Sequence, residues 1–251
     1  MQEKIEYEII CTGWNCEKYV LQCITSVLNQ TLVGWTLNIV SDGSTDNTNN
    51  ELRKFKNLFA NQIKISIYPE QKGAAFRRFE AISKIQNKEA VIVLLDLDDE
   101  LTPDALEIVN KLYREGKYMT YGNYINQYNV MFPAKSLYFD EETHKERSYR
   151  QVPYRSTHLK TFKRFLFDNI KESDFKISGE WINATTESPL VFALLEQCGK
   201  DKIGVVEKPI YIYNEGLANG SVKRLGQAYK TGIYKQICEL PKYNLYERKG
   251  I

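Results

Sequence analysis

Two rhythms of apolar residues alternate along the first 115 positions of the chain. Short apolar runs at 5–11 (IEYEIIC), 36–41 (TLNIVS), 63–68 (IKISIY) and 90–95 (AVIVLL) predict strands. The last is apolar throughout and reads as a strand buried on both faces. Between the runs, the spacing of apolar residues over 17–30, 46–59 and 73–85 predicts helices. A fourth helix is expected over 103–115, with Thr102 as its N-cap and Pro103 at its first position. Strand and helix in alternation predict an α/β fold, a mainly parallel sheet flanked by helices on both faces. Ligands of such sheets sit beyond the carboxyl ends of the strands. The loops behind these runs are therefore where chemistry is expected.

After residue 118 the rhythm changes. The aromatic stretch 118–132 (YMTYGNYINQYNVMF) predicts antiparallel strands, and the charged stretch 140–151 predicts an exposed loop. Helices are expected over 160–170 and 188–198, the second with Pro189 in its first turn, and two short strands over 203–207 and 209–214. The tail from 221 is polar, aromatic and weakly helical. The chain thus divides into 1–118, a smaller mixed half over 119–220, and a tail over 221–251.

Composition narrows the classes. With 251 residues, 43% hydrophobic and 26% charged, the chain reads as an ordinary soluble globular protein. A net charge of +2 gives no global demand for nucleic acid or an anionic membrane. No apolar run approaches the roughly 18 residues of a membrane span, and the start MQEKIEYEII lacks the layout of a secretory signal. Five irregularly spaced cysteines without a CxxC pair argue against zinc and for thiols of a reducing cytoplasm.

Three loops carry candidate chemistry. In VSDGSTDN (40–47), Asp42 stands at a strand end, where it can accept hydrogen bonds from a base or ribose, and Ser44 or Thr45 can cap the next helix. In QKGAAFRRFEAI (71–82), Gly73 permits close backbone approach, and Lys72, Arg77 and Arg78 bring positive charge towards a phosphate. A basic solvent face is the other reading of Arg77. In LDLDDEL (95–101), Asp96 and Asp98 are carboxylates two apart behind a buried strand. Hard divalent cations take such oxygen ligands together with substrate phosphates.

In their order and spacing these stretches resemble family 2 glycosyltransferases of the GT-A fold. The resemblance runs from EIICTGWNCEKYVLQCITSVLNQTLVGWTLNIVSDGSTDNT (8–48) through KGAAFRRF (72–79) to VIVLLDLDDELTPDAL (91–106), so it covers the first 115 residues closely. It includes the SVLNQT of 26–31, a DGSTD turn and a DxDD loop. The chain departs from the pattern where Ser41 replaces one of a paired Asp, where Phe79 replaces an Asn after the helix Arg, and where the aromatic loop reads TGWN (12–15). The resemblance implies an inverting transfer from a nucleotide-sugar, most simply a UDP-sugar, assisted by Mn²⁺ or Mg²⁺. Thr12, Trp14, Asp42, Gly73, Arg78 and Asp96 would then contact the nucleotide, and Asp98 the metal.

In the second half, THLKTFKRFLFDNI (157–170) and ESPLVFALLEQCG (187–199) resemble acceptor-side segments of a subgroup of the family. That comparison puts Glu187 in the place of the general base, with a helix-start cap as its alternative role and Asp174 and Glu180 as competitors. Asp99, His158 and Lys160 are candidates for acceptor or phosphate contacts, and Glu100 is expected to be solvated. On this reading 1–118 holds the nucleotide-sugar, 119–220 the acceptor, and 221–251 is a lid or interaction segment. The acceptor is open: a glycan, a protein, or a modified DNA base, the last suggested by Lys145, Arg147, Arg150, Arg155, Lys160, Lys163 and Arg164. Two other functions compete. A nucleotidyltransferase would carry a glycine-rich basic loop near its first strand, which CTGWNCEK (11–18) is not. An inactive binding module would have lost the acids of DLDD (96–99), which are intact.

Overall fold

The computed structural model describes residues 4–56, 58–131, 137–215 and 225–248. The residues of the tail at 221–224 and 249–251 lie outside the described ones. Four parallel strands form the first half: β1 (Tyr7–Gly13), β2 (Trp35–Asp42), β3 (Ile63–Tyr68) and β4 (Val91–Asp96). They are linked by α1 (Val20–Leu28), α2 (Thr48–Phe55) and α3 (Ala74–Ser83). Next come β5 (Glu100–Leu101), α4 (Ala105–Arg114), β6 (Met119–Asn126), α5 (Glu141–Glu146) and β7 (Thr157–Lys163). A small hairpin of β8 (Lys176–Ile177) and β9 (Glu180–Trp181) precedes α6 (Ser188–Gln197), β10 (Ile203–Tyr213) and α7 (Gln227–Glu239).

Eight strands form one sheet in the order β3-β2-β1-β4-β7-β6-β10-β5. β7 runs antiparallel to both β4 and β6, and β10 runs parallel to β6. The carboxyl ends of β1, β2, β4 and β10 therefore share one edge with the amino end of β7. Alternating residues separate the two apolar cores. Ile10, Ile92 and Leu94 face the layer that holds α6, while Ile9, Cys11, Val93 and Leu95 face α1 and α4. The SVLNQT segment ties two of these helices together. Gln30 donates to the Thr102 carbonyl at 2.7 Å and accepts from the Leu106 amide at 3.0 Å.

Several expectations need correction. α4 begins at Ala105 with Asp104 at its N-cap, and the Thr102 hydroxyl bonds Asp104 instead of capping. The segment 160–170 is not an α-helix but the end of β7 followed by a three-ten turn over 164–169. Both β4 and β6 need a partner between them, and this pairing outweighs the helical spacing of Phe162, Phe165 and Leu166. The charged stretch 140–151 is not an open loop. Asp140 caps α5, accepting from the Thr143 amide at 2.7 Å, and Tyr149 is fully buried. The two strands expected over 203–214 are one strand with a register break between Val206 and Tyr211, at Pro209, which has no N–H for the ladder.

Candidate active site

Asp42, the last residue of β2, is held by the entry of α3. Its Oδ1 accepts from the Lys72 amide at 2.9 Å, its Oδ2 from the Gly73 amide at 2.7 Å, and Arg77 Nε donates to Oδ1 at 2.7 Å. Gly73 has φ 89°, a conformation that costs glycine little, and this lets two successive amides meet one carboxylate. Arg77 is only 3% exposed and its guanidinium lies 3.6 Å over the Tyr68 ring, so it is no solvent face. Gly43 is constrained as well: φ is 68°, and a Cβ there would lie 2.4 Å from the Gln71 amide nitrogen.

Ser41 points the other way, towards α2, and donates to Asn49 Oδ1 at 2.7 Å. It is fully buried, and a carboxylate there would need a counter-charge that the hydroxyl does not. Ser44 and Thr45 do not cap α2. They bond Asn15, whose Oδ1 accepts from the Thr45 amide at 2.8 Å and whose amide donates to Ser44 Oγ at 3.1 Å. Asn47 holds the N-cap position without a side-chain capping bond, and Asp46 before it accepts from the Thr48 amide at 2.9 Å. The loops at 12–15 and 43–48 are thereby tied together beside the cleft. Phe79, in place of the family's Asn, packs with Phe167, Phe175 and Trp181.

A cleft of ≈ 270 Å³ opens at these strand ends, and Thr12, Trp14, Asp42, Gly73, Arg78 and Asp96 all line it, with Asp98. The Thr12 hydroxyl is buried and has no hydrogen-bond partner, so the wall presents an unmet polar group. Asp96 ends β4 and receives a hydrogen bond from Arg78 Nη2. Asp98 is half-buried, and no basic side chain pairs with it among the described residues. Burial, and then the charge of Asp96, push its carboxyl up to about 7. Asp99 differs: it is 1% exposed, accepting from the Tyr211 hydroxyl at 2.6 Å and the Asn214 amide at 2.8 Å. Carboxylate oxygens of Asp96, Asp98 and Asp99 lie within 4.8 Å of one another. Because both oxygens of Asp99 are engaged, Asp96 and Asp98 are the pair with oxygen left for a cation. Glu100 is half-buried and pairs through its backbone with Ile212.

Glu187 occupies the N-cap position of α6, yet its side chain makes no capping bond. Its carboxylate turns into the site, 2.5 Å from Lys160 Nζ and 3.4 Å from Arg78 Nη1. Burial raises its pKa, but Lys160 and Arg78 outweigh burial and hold the carboxyl well below the usual range. Arg78 thus bridges Asp96 and Glu187, and it also donates to Thr186 Oγ1 at 3.1 Å. His158 stacks on Tyr211 with ring centres 4.4 Å apart, and burial, then Lys160, push it down to about 3. The competing acids lie elsewhere: Asp174 accepts from the Tyr243 hydroxyl at 2.6 Å, and Glu180 is exposed on β9.

Beyond Glu187 lies a second cavity of ≈ 490 Å³, which His158 and Lys160 line. Cleft and cavity share Arg78, Asp96, Thr185, Thr186 and Tyr213. Arg77, expected as a phosphate contact or a solvent face, instead pairs with Asp42, and sequence reasoning missed the two threonines, Tyr211 and Tyr213. Only the tyrosines left a signal, two aromatic residues two apart at the carboxyl end of a strand. The seven basic residues of the acceptor half do not form an open basic patch. Arg150 pairs with buried Glu196, Arg164 with Asp168, Lys160 with Glu187, and Arg147 donates to the carbonyls of Glu196 and Tyr243. No helix among the described residues is long and apolar enough to cross a membrane.

The sheet, with its cleft at the strand ends, has the GT-A architecture of nucleotide-sugar glycosyltransferases. TarS 1–349 of S. aureus, solved in complex with UDP-GlcNAc, matches with a TM-score of 0.65 at 16% identity, over 85% of this chain and 59% of that one. A mannosyltransferase of Pyrobaculum calidifontis, solved with GDP-Man and Mn²⁺, matches with a TM-score of 0.61 at 13% identity, over 96% and 67%. The family model described as glycosyl transferase family 2 matches residues 9–171, and the chain belongs to that family. Chondroitin synthase of Pasteurella multocida is 35% identical over 109 residues, which make up 43% of this chain and 11% of that relative. This chain therefore spans a small part of that relative's length.

Proposed function

We propose that the chain transfers a sugar from a UDP-sugar to an acceptor hydroxyl with inversion at the anomeric carbon. The observation that carries this reading is the position of Glu187, an ionised carboxylate that lines the cavity beside Arg78 and Thr186, two residues the cavity shares with the cleft. The nucleotide occupies the cleft, with Asp42, Thr12 and Trp14 framing the base and the unmet Thr12 hydroxyl as one of its contacts. The acceptor occupies the cavity. Glu187 takes the proton of the acceptor hydroxyl as its oxygen bonds to the anomeric carbon. The bond from that carbon to the diphosphate breaks, and UDP leaves with the electron pair. Arg78 and Lys160, both beside Glu187, offset the charge that builds on the leaving diphosphate. Asp98, with Asp96, would hold Mn²⁺ or Mg²⁺, which neutralises diphosphate charge when bound.

UDP as the nucleotide agrees with the donor in the TarS complex, and a divalent cation agrees with the Mn²⁺ of the mannosyltransferase. The five free thiols suit a reducing cytoplasm. The 1–118 half supplies most of the donor site. The acceptor side draws on 119–220 and on α7 of the tail, which covers the cavity. The test is turnover of UDP-sugars with Mn²⁺, followed by NMR of the product. Release of UDP and an inverted anomeric centre support the reading. A retained configuration would remove Glu187 from the role of base.

A further inference from the structure

Helix α7 buries one face and presents a second to the cavity. Ile233 and Ile237 are buried in the apolar core that α6 also builds. The adjoining stripe of Gln227, Lys230, Thr231 and Tyr234 follows the three-four-seven spacing of a single helix face, and it lines the cavity beyond Glu187. A polar helix stripe ordinarily faces water. This one also borders a cavity: Gln227 and Thr231 are exposed at its mouth, Lys230 and Tyr234 are half-buried, and the other walls carry Glu187, Lys160 and Tyr154.

The charges of that cavity do not balance. Arg78 and Lys160 are matched by Asp96 and Glu187 through ion pairs. His158 is neutral near pH 7, since burial and Lys160 push it down to about 3. Lys230 is half-buried, and its ammonium has no ion-pair or hydrogen-bond partner among the described residues. Lys230 lines the cavity and not the cleft, whereas Asp98 lines the cleft and not the cavity. The unmatched cation therefore faces the acceptor's side and stands apart from the place of the donor diphosphate.

We propose that the acceptor carries an anionic group, a uronic acid carboxylate or a polyol phosphate, and that Lys230 is the specificity-determining residue that pairs with it. The proposal rests on the glycosyltransferase reading above and narrows its acceptor. A neutral sugar filling the cavity would leave the Lys230 ammonium beside it without a counter-charge. A carboxylate or phosphate gives it a charge-assisted hydrogen bond. Tyr154, Tyr213 and Tyr234 line the same cavity and offer apolar ring faces with polar tips to the rest of the sugar.

The test is calorimetric titration of the whole chain, with and without UDP and Mn²⁺. Three ligands are compared: a glucuronate-terminated tetrasaccharide, a glycerol phosphate tetramer, and neutral chitotetraose. One anionic ligand should bind at least about tenfold tighter than chitotetraose, and which one does so identifies the source of the charge. Lys230→Gln should remove that preference and Lys230→Arg should keep it, with thermal melting as the control that both variants fold. The proposal is overturned if chitotetraose binds as tightly as the anions. It is equally overturned if no oligomer binds, or if the preference survives in Lys230→Gln. The UDP titration is read separately: failure of wild-type protein to bind UDP would sink the donor reading, and the anion preference would still be read from the UDP-free titrations.

Discussion

The neighbouring carboxylates of 96–99 meet different fates because each faces a different neighbour. Asp99 turns inward to bond Tyr211 and Asn214, whereas Asp98 stands in the cleft without a cationic partner among the described residues. Replacing Asp98 by Ala should abolish metal-dependent turnover while shifting stability by no more than about 0.5 kcal/mol. Asp99→Ala should instead destabilise the fold by about 1–3 kcal/mol, because it leaves a buried hydroxyl and amide unpaired. Chemical denaturation beside a UDP-release assay separates the two outcomes. Glu187→Gln should lower kcat by roughly 10²–10⁴-fold with little change in donor KM, read from initial rates. The Glu187 carboxyl is depressed in the folded state, first against burial and then by Lys160 and Arg78. Its stabilising contribution is thus complete above the unfolded value of about 4.3 and is lost as pH falls towards the folded one. Melting curves between pH 6 and 3 should therefore fall less steeply for Glu187→Gln than for wild type. The positions of Asp42, Asp96, Asp98 and Glu187 were legible because motif order placed them at or just beyond strand and helix ends, and that of Arg78 because the same order put it on α3. The burial of Arg77 was not legible, because helical spacing alone does not say that α3 is covered on both sides.

At the scale of elements, the site depends on how α3 is attached to β2. The two amides at 72–73 and Arg77 all meet Asp42, so one carboxylate fixes the start of the helix that carries Arg78. Arg77→Leu removes the only cation paired with Asp42 among the described residues and should cost about 3–5 kcal/mol, measured by urea unfolding. A change below about 1 kcal/mol would mean that the two amides alone satisfy Asp42. The parallel half was legible because fully buried strands read as unbroken apolar runs, as 90–95 does. In the second half α6 was legible, but the segment 157–169 was not, for a physical reason. Over 157–169 the spacing of Phe162, Phe165 and Leu166 fits a helix, but β4 and β6 both present open edges to it. Strand pairing between distant segments decides the outcome, and a local pattern does not contain it. The same holds for 140–151, where Arg150 is drawn inward by Glu196 from α6.

At the scale of the whole molecule, one eight-stranded sheet carries both binding spaces, so residue 118 is not a physical seam. Because β7 is antiparallel, its amino end brings His158 and Lys160 to the edge where β4 ends in Asp96. The carboxyl end of β10 brings Tyr211 and Tyr213 to the same edge. Cleft and cavity meet there, so the proposed transfer from one to the other would pass beside the Glu187 carboxylate. The central claim is that the cleft takes a nucleoside diphosphate with a divalent cation on Asp98. The most direct measurement is calorimetric titration of UDP into wild-type and Asp98→Ala protein, with and without Mn²⁺. Mn²⁺ should tighten UDP binding at least about tenfold in wild type and not at all in Asp98→Ala. UDP binding that ignores both Mn²⁺ and Asp98, or no UDP binding in any arm, would contradict it.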